Sequence, residues 1–440
     1  MINKKNILIL LIAFILTSHL LQGQDKLTLG DAISLGLKNN YSVQMVRKTG
    51  EIAENNDSWG NAGLLPRLDA SAGVNYQNNN IDMEIATGPQ PMKISQTGNV
   101  SKGYNANVQL SWTLFDGFAM FINKNKFEEL RHQSDLQMQM AMEAMIRDLT
   151  NQYYEAIRLS KEMDIMKESI SISRERLNRV KDRVDFGAAL SVEVMKAEVD
   201  LNVDSTRYLQ SKLMLSAALR NLNFLMGEEI DSEYVLDTNV TINNDHDLND
   251  LHEQTMNKNS SLNQALSDKK ISEMDYEAVS AMYYPQISLS SSYGLNHTES
   301  DGGFITKNRT VGFNAGLNAQ INLFNGFRTD IRSENAAVNV MINEIKIEEI
   351  RRQLDLTLKN AYENYRQRLI ILEIEKENMI AAKETFERTR ELYNMGQASS
   401  IDFRDTQLNY QKAKNRINNA KYQIKLAEIE LMLLSGNIFK

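Results

Sequence analysis

The chain has 440 residues, 49 Lys or Arg against 57 Asp or Glu, no cysteine and only four prolines. The lack of cysteine excludes a disulfide framework and a thiolate metal site, and predicts no lipid-anchored N-terminal Cys. A formal net charge of −8 argues against nucleic acid as a partner.

Residues 1–23 read as a secretory signal. Lys4 and Lys5 supply the charged region, Asn6 to Leu16 is nearly all apolar, and cleavage is expected near Gly23. The run is too short to span a bilayer as a helix, and no later stretch reaches that length. An exported chain of this kind is periplasmic, extracellular or an outer-membrane β-barrel.

The remainder is written twice. WTLFDG at 112–117 returns as INLFNG at 321–326, and the same offset maps Gly187 onto Gly396 and Gly227 onto Gly436. LLPRL around Pro66 returns as YYPQI around Pro285. The expected units are repeat one (24–227: a helix, two strands and a long helical hairpin), an irregular linker or belt (228–246) and repeat two (247–440).

In repeat one, Thr28 caps a helix expected over about 29–62, and Pro66 closes it. The period then changes from 3.6 to 2. Leu68, Ala70, Ala72, Val74 and Tyr76 alternate with polar residues, and so, after a polar loop at about 78–103, do Tyr104, Ala106, Val108, Leu110, Trp112 and Leu114. A proline-free run from Phe118 to about Phe186 predicts one helix on the order of 100 Å long. Its seam includes Ile146, Leu149, Tyr153 and Ile157. Gly187 breaks it, and a helix from about Ser191 to Met226 returns.

Repeat two follows suit. Ile287, Leu289, Tyr293 and Leu295 begin one alternating segment; Val311, Phe313, Ala315, Leu317, Ala319, Ile321 and Leu323 carry the next. A long helix from Phe327 to about Met395 carries the seam Leu354, Leu358, Tyr362, Tyr365, Leu369, Leu372. Gly396 breaks it, and a helix from about Ser400 to Ser435 returns. The two short helices of a repeat sum to the long one, so they can stack end to end against it. Four strands of roughly 10–13 residues suit a tilted bilayer crossing, with Asn, Gln and Ser facing a wet lumen and Val108, Leu110, Trp112, Leu317 and Ala319 facing lipid.

The duplication, the two helix-to-strand junctions, the two strand-to-helix junctions and the two tips FGAALSVEVMKAEVDL and MGQASSIDFRDTQLNY together resemble the TolC-type outer-membrane efflux protein family. The resemblance covers essentially the whole mature chain. It implies a mixed, mainly α fold: antiparallel coiled-coil helices forming an α-barrel, and four transmembrane strands per chain joining a 12-stranded β-barrel in a homotrimer. It implies an exit duct of a tripartite efflux pump or type I secretion system, fed by a periplasmic adaptor and an inner-membrane transporter. The tip residues Gly187, Ser191, Val194, Gly396, Ser400 and Phe403 are expected to dock the adaptor, with Ser191 and Ser400 capping the returning helices. Glu193 stands where the family more often has Asp.

No enzyme, cofactor or metal site is expected. No phosphate-binding loop appears, and His132, His252 and His297 are scattered. His246 with Asp245, Asp247 and Asp250 reads better as a helix cap than as a metal cluster. Met138, Met140, Met142 and Met145 go around a helix, as packing residues do. The gate is expected at Glu384, Glu387, Arg388 and Glu391, a turn-spaced row before Gly396 that threefold symmetry would turn into cation-favouring rings. The competing reading is a solvated face with Glu384 and Arg388 as an i,i+4 pair. Arg388 and Arg390 are expected to tie neighbouring helices. From another functional class, a secreted or periplasmic coiled-coil scaffold without a pore competes with the duct; four strands of membrane-spanning length argue against it.

Overall fold

The computed structural model describes residues 26–86, 88, 91–242, 246–302 and 305–437. The expected secretory signal, residues 1–23, and Asp245 lie outside them. The chain forms α1 (Leu29–Asn39), α2 (Tyr41–Asn56), β1 (Arg67–Ile85), β2 (Met92–Asp116), α3 (Ala119–Asp185) and α4 (Ser191–Met226). It then forms α5 (Leu248–Lys258), α6 (Ser260–Ser280), a short 3-10 turn, β3 (Gln286–Ser300), β4 (Lys307–Gln320), α7 (Arg328–Asn394) and α8 (Ser400–Leu434). The second half repeats the first, and the mainly helical architecture with four strands is the one the periodicities predict.

Two compact units result. One holds the described residues of Met1–Lys48, Leu136–Asn263 and Glu348–Lys440; the other holds those of Thr49–Asp135 and Gln264–Ile347. Each sequence repeat therefore contributes residues to both units.

The first unit is built on the expected seams. Ile146, Leu149, Tyr153 and Ile157 are buried with Val43, Leu222 and Met226, while Leu358, Tyr365 and Leu372 pack with Leu251, Ile424 and Leu431. Met145 lies in the first cluster, its sulfur 2.8 Å from where a Cβ on Gly36 would fall, so this methionine fills space in the core. The linker is held locally: Leu27 N donates to Val235 O, Asp237 N to Leu27 O, and the Tyr153 hydroxyl to the carbonyls of both Leu27 and Asp237.

The single helix expected over 29–62 is two helices. Asn40 sits between α1 and α2 with ψ at 128°, and its Oδ1 accepts from the backbone N–H groups of Ser42 and Val43. That side chain competes with the helical ladder and caps a new helix. Its Nδ2 donates to the Leu225 carbonyl in the last turn of α4, at 2.9 Å. Repeat two does the same: Asn259 accepts from Ser261 and Leu262 and donates to the Leu434 carbonyl at 3.2 Å. Gly227, in the left-handed region at φ 72°, closes α4 so near that a Cβ there would lie 2.5 Å from the Asn39 carbonyl oxygen. A side chain at 227 has no room.

The second unit carries one antiparallel sheet in the order β1-β2-β3-β4. Its strands run 19, 25, 15 and 14 residues, longer than expected, although β4 ends at Gln320, short of the expected Ile321 and Leu323. The segment expected as a polar loop over 78–103 continues the β1–β2 ladder past a bulge, from Asn78 opposite Val100 to Ile85 opposite Met92. Backbone pairing needs no apolar face, so the ladder outlasts the hydrophobic alternation that signals it in sequence.

Candidate functional site

The sheet register sorts side chains into two unlike faces. Across all four strands one face carries the rows Ala70–Val108–Tyr293–Phe313 and Ala72–Ala106–Leu295–Val311. Leu110 lies opposite Leu68, and Trp112 and Leu317 both lie opposite Leu289; Ala319 lies opposite Ile287. The other face carries Asp69–Gln109–Ser292–Asn314 and Gly73–Asn105–Asn296–Thr310. Val108, Leu110, Trp112, Leu317 and Ala319 thus share the apolar face, and none of them is buried. Trp112 donates from Nε1 to the Leu64 carbonyl, so its indole has a polar partner at the helix-bearing end of the sheet.

Both strand-to-helix junctions place a phenylalanine in the left-handed region, Phe118 at φ 72° and Phe327 at φ 61°. A bulky residue there costs about 1–2 kcal/mol. In return each ring meets another edge-on, Phe118 against Phe115 and Phe327 against Phe324. Asp116 Oδ1 then accepts from Met120 N, and Asn325 Oδ1 from Arg328 N, to start the long helices. The FDG and FNG of the repeated motif are these turns.

At the helical tips, Gly187 and Gly396 adopt φ 72° and 76°. The capping differs from expectation at both. Ser399, not Ser400, is the N-cap of α8: its Oγ accepts from Asp402 N, and the Asp402 carboxylate accepts from the Ser399 backbone N–H and hydroxyl. Those bonds hold the Asp402 carboxyl below the usual carboxylate range. In α4 the corresponding residue is Leu190, which caps nothing, and Ser191 is already inside the first turn. The hydroxyl must sit three residues before the acid to close the box, and at the first tip that place is apolar. Phe403 is 4% exposed, packed on Phe386 and Tyr393. It holds the tip together and offers no surface; Val194 is half-buried, and Phe186, Leu190, Val192, Met195, Met395 and Ile401 are large apolar residues exposed nearby.

The gate row lies on the last turns of α7. Glu384, Glu387, Arg388 and Glu391 are all exposed. The expected Glu384–Arg388 pair does not form: Arg388 pairs with Glu391 at 3.3 Å, and Glu387 with Lys383 at 3.7 Å. The contact that reaches another helix is Arg390 to Glu175 of α3, at 2.6 Å. Arg388 stays on its own helix, with Glu391 one turn ahead as its ion-pair partner.

Sequence reasoning missed the most polar part of this unit's interior. Arg404 of α8 grips Asp204 of α4 through both terminal nitrogens, and Ser169 and Ser173 of α3 donate to the same carboxylate. Gln407 adds a hydrogen bond to Ser173, and Arg176 pairs with Asp200. Burial would raise the Asp204 carboxyl, but the Arg404 and serine hydrogen bonds outweigh it and hold its pKa below the ordinary carboxylate range. The available signal was polar residues at seam spacing: Ser169, Ser173 and Arg176 on α3, and Arg404, Gln407 and Gln411 on α8.

Of the suspected cation cluster, Asp247 caps α5, accepting from Asn249 and Asp250, and His246 lies edge-on to Tyr365. Among the described residues no three His, Asp or Glu side chains converge as metal ligands would.

A family model described as outer membrane efflux protein matches residues 32–228 and again 251–437. The outer membrane protein TolC of Vibrio cholerae is 19% identical over 380 residues, covering 86% of this chain and 83% of the relative. The proteases secretion protein PrtF of Dickeya chrysanthemi is 20% identical over 415 residues, 93% of this chain and 88% of the relative. Among solved structures, the CmeC outer membrane channel of Campylobacter jejuni superposes with a TM-score of 0.75 at 16% identity, covering 94% of this chain and 86% of that one. The open state of the MtrE outer membrane channel of Neisseria gonorrhoeae gives 0.72 at 17% identity, over 93% of this chain and 89% of that one.

Proposed function

Because this chain belongs to the outer membrane efflux protein family and is an exit duct of the outer membrane, we propose that three copies close their sheets into one 12-stranded barrel. Among the described residues β1 and β4 each have one partner strand, so the sheet ends in two open edges, which a bilayer does not tolerate. Two copies would give eight strands, whose interior fills with side chains; twelve leave a pore. The apolar face with Val108, Leu110, Trp112, Leu317 and Ala319 meets lipid, and the Asn-, Gln- and Ser-rich face lines a watery lumen.

The duct is passive. Its partners are a periplasmic adaptor and an inner-membrane transporter, in an efflux pump or a type I secretion system. The tips around Gly187–Val194 and Gly396–Phe403 dock the adaptor through their exposed residues, while Ser399 and Phe403 keep the second tip in shape. The row Glu384, Glu387 and Glu391 forms acidic rings at the periplasmic end and favours cations.

The two-faced sheet with open edges is the observation that carries this reading. The test is mass photometry of the detergent-purified chain, with planar-bilayer recording of the same sample. A mass of three copies and discrete conducting events are expected. A monomer, or a trimer that never conducts, would overturn it.

A further inference from the structure

Immediately beyond the apolar band the same sheet face turns cationic. The row Val74–Tyr104–His297–Arg309 is followed by Tyr76–Lys102–Glu299–Lys307. Below them on β4, that face carries Val311, Phe313, Ala315, Leu317 and Ala319 and no charge. Arg309 lies ten residues from Ala319. At about 3.4 Å per residue and a tilt near 40°, that is a rise of roughly 26 Å, close to the ~25 Å apolar band of a barrel. The cations therefore begin where the hydrocarbon ends.

The end is the outer one. Helices attach to the sheet at its opposite end, next to Arg67, Asp116, Gln286 and Gln320, and in this family the helices are periplasmic. The charge is also confined to one face. At the same level the other face carries Asn75, Gly103, Thr298 and Asn308, all uncharged. Solubility of the rim would be served equally well by lysines on either side.

Glu299, the one carboxylate in these rows, is already engaged. It accepts from Lys307 at 2.9 Å and lies 3.1 Å from His297 Nε2. Lys102 and Arg309 are exposed and have no ion pair among the described residues. Tyr104 and His297, ring centroids 4.6 Å apart, form an aromatic floor between them.

We propose that Lys102, Lys307 and Arg309 form a docking surface for the phosphate groups of an anionic glycolipid of the outer leaflet. A guanidinium matches a phosphate with two parallel hydrogen bonds, and an ammonium serves as a point charge beside it. The aromatic pair takes the headgroup boundary, as amphipathic rings do at membrane interfaces. The surface rests on the reading that this face meets lipid, and it adds a partner that an apolar band alone would not select.

The test uses the full chain purified in detergent and titrated with diphosphorylated lipid A or with phosphatidylcholine, bound lipid being counted by native mass spectrometry. The parent should retain the phosphorylated glycolipid and lose phosphatidylcholine. Each cation at an anionic surface is worth a factor of roughly five, so Lys102→Gln with Arg309→Gln should weaken retention roughly 25-fold. Arg309→Lys should restore most of one factor. Equal retention by parent and double variant, or equal binding of both lipids, overturns the site. The face assignment is read separately in Trp59→Phe, which leaves Trp112 as the sole tryptophan. Quenching of Trp112 by shallow-brominated phosphatidylcholine supports it; no quenching removes the lipid-facing reading and the site with it.

Discussion

Arg404 and Asp204, 200 residues apart in sequence, meet through two hydrogen bonds of 2.7 and 2.9 Å inside the helical unit. Asp204 is wholly buried. A pair of this kind contributes little net stability compared with apolar residues, but losing one partner strands a charge. Arg404→Met alone should cost about 3–5 kcal/mol in urea unfolding, whereas Arg404→Met with Asp204→Leu should recover most of that. Equal losses in the single and double variants would sink the argument.

The same pair predicts a pH response. The Asp204 carboxyl is held below its ordinary value in the fold, so its contribution is present above the unfolded value of about 3.9 and disappears as pH falls through the folded one. Amide exchange near Asp204 and Arg404 should quicken below about pH 4 in the parent. In the Met/Leu double variant that acid-induced component should be missing.

Capping chemistry distinguishes the two tips. Ser399→Ala should destabilise the first turn of α8 by about 1 kcal/mol, while Ser191→Ala should be close to neutral. Leu190→Ser would place a hydroxyl three residues before Glu193 and should stabilise the first tip by a comparable amount. Hydrogen exchange of the tip amides reads all three. Equal effects of the two serine replacements would contradict the assigned caps.

Membrane insertion tests the sheet register. Leu110→Arg should cost about 2–4 kcal/mol if it lies near the bilayer midplane, and Gln109→Arg, on the opposite face, should assemble normally. The readout is the yield of heat-resistant oligomer in outer-membrane fractions. Normal assembly of Leu110→Arg with failure of Gln109→Arg would reverse the faces.

Conduction tests the periplasmic end. Glu384→Gln with Glu387→Gln should reduce cation selectivity in planar bilayers. Arg390→Ser removes the contact from α7 to Glu175 of α3 and should raise the open probability. Arg388→Ser, which loses only a contact to Glu391 on its own helix, should conduct like the parent. An exposed pair is worth at most about 1 kcal/mol, so the change expected is in open probability rather than in assembly.

Much of this protein is determined by its sequence alone, because the governing signals are local. A period of two along Tyr104 to Trp112 defines a strand with unlike faces whatever it pairs with. The seam from Leu354 to Leu372 defines a buried helix face. Matched glycines at 187 and 396 define turns, and the duplication makes each inference twice. The polar details were decided by tertiary structure. Asn40 breaks a helix because the carbonyl of Leu225 is within reach of its amide; by composition alone the run from 29 to 62 reads as continuous. Arg390, not Arg388, crosses to another helix because Glu175 faces it. Asp204 and Arg404 look like solvated charges until α4 and α8 approach each other. A hydrophobic residue needs only the interior, and periodicity says where that lies. A charged or amide side chain needs one particular partner, and only the approach of distant segments supplies it.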